Sequence, residues 1–235
     1  MTTATQQLRV RRAPKRAWYD RASIARVLDR GHVAHVAFVE NGFPYCIPTL
    51  YARVGDRLLI HGSSASRMVR ALAAGAPACV TVTILDEFVL ARSAFEHSAN
   101  YDSAVLVGAF EQIADEEKLA VLAAFVEAVL PGRWDEVRHP SRKELKATAV
   151  LAMPIANAAV ETRTGPPDDD SSPDAELDVW AGVVPIGHRI REPVGSPGLR
   201  AGIPVSPSVR RLIAGDARPA SCPAMTRSPM PTDAR

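Results

Sequence analysis

The sequence predicts a mainly β domain with inserted helices, an α+β fold whose antiparallel strands close into a small barrel. Short strand-like segments follow one another through tight turns such as Asn41-Gly42, which favours hairpins. The segments lack the regular strand–helix alternation of a parallel α/β sheet. With 235 residues, 47% hydrophobic and 23% charged, the chain is long enough for one sizeable core.

The two ends of the chain are basic and the body between them is acidic. Residues 1–16 carry five basic groups and no acid, and residues 188–235 carry eight arginines and three acids. Residues 17–187 therefore hold 15 basic and 23 acidic residues, a net charge of −8. We predict a disordered basic arm (1–16), a folded domain (17–187) and a disordered tail rich in proline and arginine (188–235). No aromatic residues alternate with these arginines, so nucleic-acid binding is not expected.

The cysteines and the hydropathy indicate a cytoplasmic protein. Cys46, Cys79 and Cys222 are far apart and show no zinc-binding spacing, which is typical of free thiols in a reducing compartment. No apolar run approaches the ~20 residues of a membrane span, and no apolar segment follows the basic start. We expect no membrane attachment.

The first half of the chain predicts a capped helix, a hairpin and a third strand. Asp20 caps a helix that stops at Gly31. The hairpin spans residues 31–53 around its Asn-Gly turn. Pro44 and Pro48 on the return strand lack N–H donors, so one side of that strand must stay open or face a ligand. A strand over 57–61 leads into a helix over 66–74, whose inward residues are Met68, Val69 and Leu72.

The second half predicts further strands at 77–85, 101–113, 147–154 and 156–164, with a last core segment at 179–186. A helix capped by Asp115 follows the second of these strands. A short helix is expected near 141–146. The predicted buried stripe of the helix capped by Asp115 consists of Leu119, Leu122, Phe125, Val126 and Val129.

Residues 59–67, L-I-H-G-S-S-A-S-R, place a histidine, serines and an arginine where a strand meets a helix. The unpaired N–H groups of a helix start, the hydroxyls of Ser63, Ser64 and Ser66, and the Arg67 guanidinium together suit a phosphate. Alternatively, one serine only caps the helix and Arg67 is solvated. His61 either contacts a ligand or only packs.

No metal site is expected from the histidines or the acidic residues. His32 and His35 are three apart on a strand, so they point to opposite faces. The phosphate-loop, G-x-G-x-x-G and G-x-S-x-G motifs are absent.

The order of nine segments identifies a family resemblance. They are R-A-W-Y-D-R (16–21), I-P-T-L-Y-A-R-V-G-D (47–56), L-I-H-G-S-S-A-S-R-M (59–68), V-T-V-T-I-L-D (80–86), L-A-R-S-A-F-E-H-S-A-N-Y (90–101), L-P-G-R-W (130–134), K-E-L-K-A-T (143–148), R-T-G-P-P-D-D (163–169) and V-W-A-G-V-V-P (179–185). Across residues 15–187 the chain resembles the pyridoxamine 5′-phosphate oxidase-like flavin-binding superfamily, in the branch of the nitroimidazole-resistance proteins.

The resemblance implies a split β-barrel homodimer with two FMN sites at its interface. The strand with Pro48, Thr49, Leu50 and Tyr51 would run along the flavin ring. The corner with Ile60, His61, Ser66, Arg67 and Met68 would hold the ribityl chain and phosphate. The expected remainder of the site, from the second subunit, is His97, Asn100, Tyr101, Arg163 and Trp180.

Two positions depart from the branch. Asp102 and Glu161 stand where arginine and lysine are usual, which would alter affinity or charge preference if they touch phosphate or substrate. The basic substrate-phosphate motif of true pyridoxamine phosphate oxidases is not evident, which argues against a vitamin B6 substrate.

These observations predict an FMN-dependent oxidoreductase that reduces small electron-poor compounds such as nitroaromatics. Tyr51 and the backbone of residues 47–50 would face the ring, and His61 would orient the substrate or donate a proton. One alternative is a non-catalytic protein that binds flavin, deazaflavin (F420) or haem on the same fold. Another is a regulatory protein whose basic ends bind nucleic acid.

Overall fold

A computed structural model describes residues 8–170 and 172–215, and eleven strands form two antiparallel sheets in these ranges. The larger sheet has the order β1-β10-β7-β6-β2-β3, with β11 also paired to β6, and the smaller has the order β4-β5-β9-β8. The antiparallel, mainly β prediction is confirmed. The strands are β1 Ala17–Trp18, β2 Val33–Glu40, β3 Phe43–Leu50, β4 Ala52–Val54, β5 Arg57–Ser63, β6 Pro77–Leu90, β7 Ser98–Ala109, β8 Glu111–Gln112, β9 Thr148–Pro154, β10 Ala158–Arg163 and β11 Gly182–Pro185.

Within the described ranges, five α-helices are inserted between the strands or follow them: α1 Arg21–Arg30, α2 Arg67–Ala73, α3 Lys118–Val129, α4 Arg142–Ala147 and α5 Pro207–Ala214. Three of them begin at side-chain caps. Asp20 accepts from the Ser23 amide, Ser66 from that of Val69, and Ser141 forms a capping box with Glu144. None of the helices in the described part of the chain is long and apolar enough to cross a membrane.

Two hydrophobic clusters hold the sheets together. The main cluster is built from both sheets, α1 and α2, with Val36, Leu58 and Leu106 fully buried. The second cluster lies between the smaller sheet and α3, and includes Leu59 and Phe125. Because side chains alternate along a strand, β5 sends Leu58 and Ile60 into the main cluster and Leu59 into the second.

The hairpin and its proline-containing strand form as the sequence predicts. Asn41 and Gly42 both have positive φ (52° and 79°), as a two-residue turn between twisted strands requires. β3 pairs with β2 along its whole length and is the edge strand of the larger sheet. Pro44 and Pro48 therefore lie on an edge strand, as expected from their missing N–H groups.

The start of α3 differs from the prediction. The helix begins at Lys118, and Asp115 does not cap it but accepts a 2.7 Å hydrogen bond from Lys118 Nζ. Lys118 is buried (4% exposed), while Leu119, predicted on the buried stripe, is 41% exposed. The carboxylate of Asp115 and the Leu145 carbonyl accept from the lysine, so its charge is satisfied and the helix can turn Leu119 outward.

The tail also differs from the prediction in part. α5 lies within the segment predicted to be disordered, and it docks on residues 131–136. The Ser208 amide donates to Glu136 Oε1 (2.8 Å), and Arg133 donates to Ser206 Oγ (3.0 Å). Pro207 at its first turn suits a helix start. Residues 1–7 of the basic arm and 216–235 of the tail lie outside the described ranges.

Candidate functional site

Two strands that carry predicted cofactor contacts, β3 and β5, lie in different sheets, and we refer to the space between their open edges as the cleft. β4 continues the chain of β3 and pairs with β5 from Ala52 to Val54, opposite Arg57 to Leu59. Beyond Leu59, β5 has a strand partner on one side only, β9. The outer edge of β3 and the free edge of residues 60–63 therefore both border this cleft. Strand edges of this kind offer backbone N–H and C=O groups to a ligand.

Arg67, the first residue of α2, reaches across to the β2–β3 hairpin. Its guanidinium carbon lies 4.8 Å from the centroid of the Tyr45 ring, and its Nε lies 3.4 Å from Glu40 Oε2. The Arg67 side chain is still 56% exposed. The start of α2 and the strand β3 thus meet at one end of the cleft, with an accessible cation between them.

The serines of the corner already make internal hydrogen bonds. Ser66 Oγ accepts from the Val69 amide, Ser63 Oγ accepts from the Ala65 amide, and Ser64 Oγ donates to the Ala147 carbonyl. The capping interpretation is therefore correct for Ser66. A capping hydroxyl accepts with its oxygen and keeps its own proton, so Ser66 can still donate to an anion.

The residues predicted to bind a cofactor in this cleft fall into two groups, one with side chains on the surface and one with side chains in the core. Pro48 and Leu50 are exposed on β3, and Thr49 is half-buried beside them. Three predicted residues have their side chains in the main cluster instead: Tyr51, Ile60 and Met68. The expectation that the Tyr51 ring faces the flavin is corrected, because its hydroxyl donates to the Leu28 carbonyl (2.6 Å) inside the core. Only the backbones of Tyr51, Ile60 and Met68 remain as candidate contacts of the cofactor.

His61 packs on the other face of β5, beneath α3. Its ring meets that of Phe125 edge to face, with centroids 4.6 Å apart. Nδ1 is buried and has no hydrogen-bond partner among the described residues. Burial lowers the pKa of His61, so the imidazole is neutral at neutral pH. A neutral, unpartnered imidazole nitrogen can accept a hydrogen bond or bind a metal.

Three of the remaining predicted residues lie close together where the ends of β7 and β10 pair, with Tyr101 opposite Arg163. Asn100 is buried; its Oδ1 accepts from Arg163 (2.6 Å), and its Nδ2 donates to Glu87 (2.6 Å) and to the Gly165 carbonyl (2.9 Å). The Arg163 side chain is buried as well, and its Nε has no partner in the described ranges. Tyr101 donates from its hydroxyl to Glu161 (2.7 Å). Glu161, one of the two departures, thus has a structural partner.

Asp102, the other departure, neutralises two arginines of α1. Its side chain is 3% exposed and forms ion pairs with Arg26 and Arg30, while Thr162 Oγ1 donates to it. Burial alone would raise the pKa of Asp102, but hydrogen bonds from Arg26 and Thr162 and the charges of both arginines lower it. Asp102 therefore acts inside the fold rather than on a ligand surface.

His97 and Trp180 lie at the same end of the larger sheet. His97 Nδ1 accepts from the Ala91 amide (3.2 Å). Trp180 is 66% exposed, and its ring lies so close to Gly182 that a Cβ there would be 3.0 Å from it. We refer to His97, Asn100, Tyr101, Arg163 and Trp180 as the sheet-end group. Because β2 and β6 lie between β3 and β7, one chain does not bring this group to the cleft.

Tyr45, Glu40 and Phe125 were not predicted for the site. The Asn-Gly turn fixes residues 40 and 43 opposite each other, so a place for Glu40 beside β3 follows from the hairpin. The position of Arg67 beside Glu40 cannot be inferred from local sequence, because it depends on how α2 packs and 27 positions separate the two residues. The contact of His61 with Phe125 depends in the same way on how α3 packs.

Comparison with known proteins agrees with this geometry. The family model for pyridoxamine 5′-phosphate oxidase matches residues 20–162. Curated protein sequences gave no match. Among solved structures, the FAD and haem binding protein from Mycobacterium smegmatis is 43% identical, with a TM-score of 0.81 over 86% of this chain and 98% of that one.

Two further structures are informative. The flavocytochrome Anf3 from Azotobacter vinelandii is 37% identical, with a TM-score of 0.83 over 88% of this chain and 97% of that one. A candidate 5-nitroimidazole antibiotic resistance protein from Bacteroides thetaiotaomicron is 18% identical, with a TM-score of 0.52 over 61% of this chain and 84% of that one, and shares the fold. Since 86% and 88% of 235 residues both exceed the 187 residues before the tail, the two closer matches extend into the tail.

Proposed function

The chain belongs to the pyridoxamine 5′-phosphate oxidase family, and we propose that it is a flavin-binding oxidoreductase whose cofactor lies in the cleft between β3 and β5. The observation that carries the proposal is the pair of open strand edges that meet beside Arg67 and the start of α2. The β3 backbone would hydrogen-bond the edge of the ring, and Ser66 and Arg67 would hold the phosphate. Bound flavin supplies hydride and electron transfer.

We propose FAD as the form of the flavin, in place of the FMN implied by the family resemblance. The Mycobacterium smegmatis relative, at 43% identity, is an FAD and haem binding protein. Ser66 and Arg67 suit either form, because both carry a phosphate on the ribityl chain. Small electron-poor compounds, including nitroaromatics, remain the proposed substrates.

We further propose that two copies pair through the outer face of the larger sheet. On β2, β3 and β6 this face carries no Asp, Glu, Lys or Arg, and several of its apolar side chains are exposed, including Val39 (59%), Val33 (46%) and Leu50 (44%). Uncharged apolar patches of this kind are typical of interfaces. Where these strands pair with β2, the outward residues are Val33, His35, Ala37, Val39, Pro44, Cys46, Pro48, Leu50, Cys79 and Thr81. Such a dimer would allow the sheet-end group of one copy to complete the cleft of the other.

Haem binding is a second candidate function, favoured by one observation in this chain. His61 is neutral and buried and has an unpartnered Nδ1, which are the properties of an iron ligand, and two relatives at 43% and 37% identity are a haem binding protein and a flavocytochrome. His97, by contrast, has one ring nitrogen engaged by Ala91. Haem would then accompany the flavin rather than replace it.

The visible spectrum of the purified protein tests both proposals. We expect flavin absorption bands, a Soret band and, after denaturation, release of a flavin whose mass is that of FAD. A colourless protein that takes up neither FAD nor FMN from solution contradicts the flavin proposal. Flavin bands without haem uptake contradict the second candidate alone. Fluorescence and mass would also identify F420 if that were the ligand.

A further inference from the structure

Between β11 and α5 the chain runs along the surface as a segment of exposed residues. We refer to residues 187–205 as the strap. All nineteen of its residues are exposed. Its one backbone hydrogen bond is internal, from the Leu199 amide to the Ser196 carbonyl, and no hydrogen bond or ion pair joins it to the rest of the described chain.

The strap is nevertheless fixed at both ends. Before it, β11 pairs with residues 87–90 of β6, and the Ile186 amide donates to the Asp86 carbonyl (2.8 Å). After it, α5 is held by the hydrogen bonds of Ser206 and Ser208 to Arg133 and Glu136. Three prolines within the strap restrict its backbone to extended conformations, which lowers the entropy that is lost when it becomes ordered.

The strap carries more apolar side chains than a purely solvated segment needs. Besides four glycines and one serine, it has five apolar side chains that are between 42% and 95% exposed: Ile190, Val194, Leu199, Ile203 and Val205. Single exposed apolar residues are ordinary, but five along one anchored segment, each with about 40% or more of its surface exposed, indicate a surface that is covered in the assembled protein.

We propose that the strap packs against a second copy of this chain, so that the strap of each subunit lies on the surface of the other. Charge favours this occupant. The strap has a net charge of +2 from three arginines and Glu192, and residues 17–187 carry −8. The similarity to the Mycobacterium smegmatis and Azotobacter vinelandii proteins also extends beyond residue 187, so this part of the tail belongs to the shared architecture. The inference rests on the dimer proposed above and adds a second contact to it.

Limited trypsin digestion tests the strap, because Arg189 and Arg200 lie within it. In the full chain, cleavage after these residues is measured by mass while the protein is diluted through the range in which light scattering shows dimer becoming monomer. We expect cleavage to be roughly tenfold slower in the dimer. The Val39→Glu variant, which places a charge in the outer sheet face, provides the monomer if the natural protein does not dissociate, and its strap should be cut quickly.

Each result has one meaning. Cleavage at the same rate in monomer and dimer overturns the strap proposal, whether the rate is fast, as for a solvated segment, or slow, as for one folded on its own subunit. A chain that is monomeric at every concentration overturns the dimer as well. As a second readout, a photo-crosslinking residue in place of Val194 in mixed light and heavy isotope-labelled protein should join light to heavy chains. Cross-links confined to one chain contradict the proposal.

Discussion

Arg67 on α2 stacks its guanidinium on the ring of Tyr45 on β3, at 4.8 Å from the ring centroid, and forms an ion pair with Glu40, whose Oε2 lies 3.4 Å from Arg67 Nε. This contact joins the two parts of the chain that the cofactor would bridge. It also means that a bound phosphate must share Arg67 with the carboxylate of Glu40.

Replacing Glu40 should therefore strengthen binding of phosphorylated flavins. Glu40→Gln removes a charge that competes for Arg67 and repels the phosphate, and a partly exposed pair of this kind is worth about 0.5–1 kcal/mol, or roughly two- to fivefold in affinity. Titration of the flavin-free protein with FAD and with riboflavin measures this. Riboflavin, which has no phosphate, is the control and should bind unchanged. Weaker FAD binding in the variant contradicts this role for Glu40.

His61→Ala should remove the Soret band and keep the flavin bands. The substitution deletes the proposed iron ligand, while the cleft on the other side of β5 is untouched. His139→Ala is the matched control, since His139 stacks on Trp134 at 4.6 Å and has no assigned ligand role. Added imidazole should restore part of the band. A variant with a normal Soret band would show that another group holds the iron.

Asp102→Ala should destabilise the fold by about 2–4 kcal/mol, because it leaves two arginines of α1 without their buried carboxylate. The expected effect is smaller than for a fully buried triad, since Arg26 and Arg30 are 30% and 40% exposed and Arg30 keeps Asp86. Chemical denaturation measures the free energy of unfolding. The control, Asp56→Ala, breaks an exposed pair with Arg21 and should cost less than about 1 kcal/mol. Equal costs for the two variants would contradict the structural role of Asp102.

Docking of α5 should persist well into the acid range. The Ser208 hydrogen bonds lower the pKa of Glu136 from 4.5 to about 2. A carboxyl group whose pKa is lowered in the folded state contributes stability that is fully present above the unfolded value, and this is lost as the pH falls through about 2. The NMR titration of the Glu136 carboxyl carbon measures the pKa directly. A midpoint near 4.5 would show that Ser208 does not hold Glu136 in solution. Ser208→Ala removes the hydroxyl bond and keeps the amide bond, so it should raise the midpoint only part of the way towards 4.5.

Local signals in the sequence predict most of the fold. The caps at Asp20 and Ser66 start their helices, the Asn-Gly turn forms the hairpin, and two prolines identify β3 as an edge strand. Each of these features depends on residues a few positions apart, and their physical effect does not need the rest of the molecule.

The errors involve partners that are distant in sequence. Burial of Lys118 depends on the Leu145 carbonyl, and α5 depends on the bonds of Ser208 to Glu136, which is 72 positions away. Tyr51 matches the family segment, but its side chain lies in the core through its bond to Leu28. The composition of the tail, rich in proline and arginine, predicts disorder, because composition carries no information about the hydrogen bonds that dock α5 on residues 131–136.

The affinity of the Arg67→Ala variant for FAD tests the central claim most directly. Loss of a charge-assisted hydrogen bond to phosphate costs about 1.5–3 kcal/mol, so affinity should fall about 10- to 150-fold, while riboflavin affinity stays unchanged. Arg70→Ala, one turn further along the same helix and also exposed, is the control and should bind FAD normally. If Arg67→Ala binds FAD as tightly as the natural protein, the phosphate does not lie at the start of α2 and the proposed site is wrong.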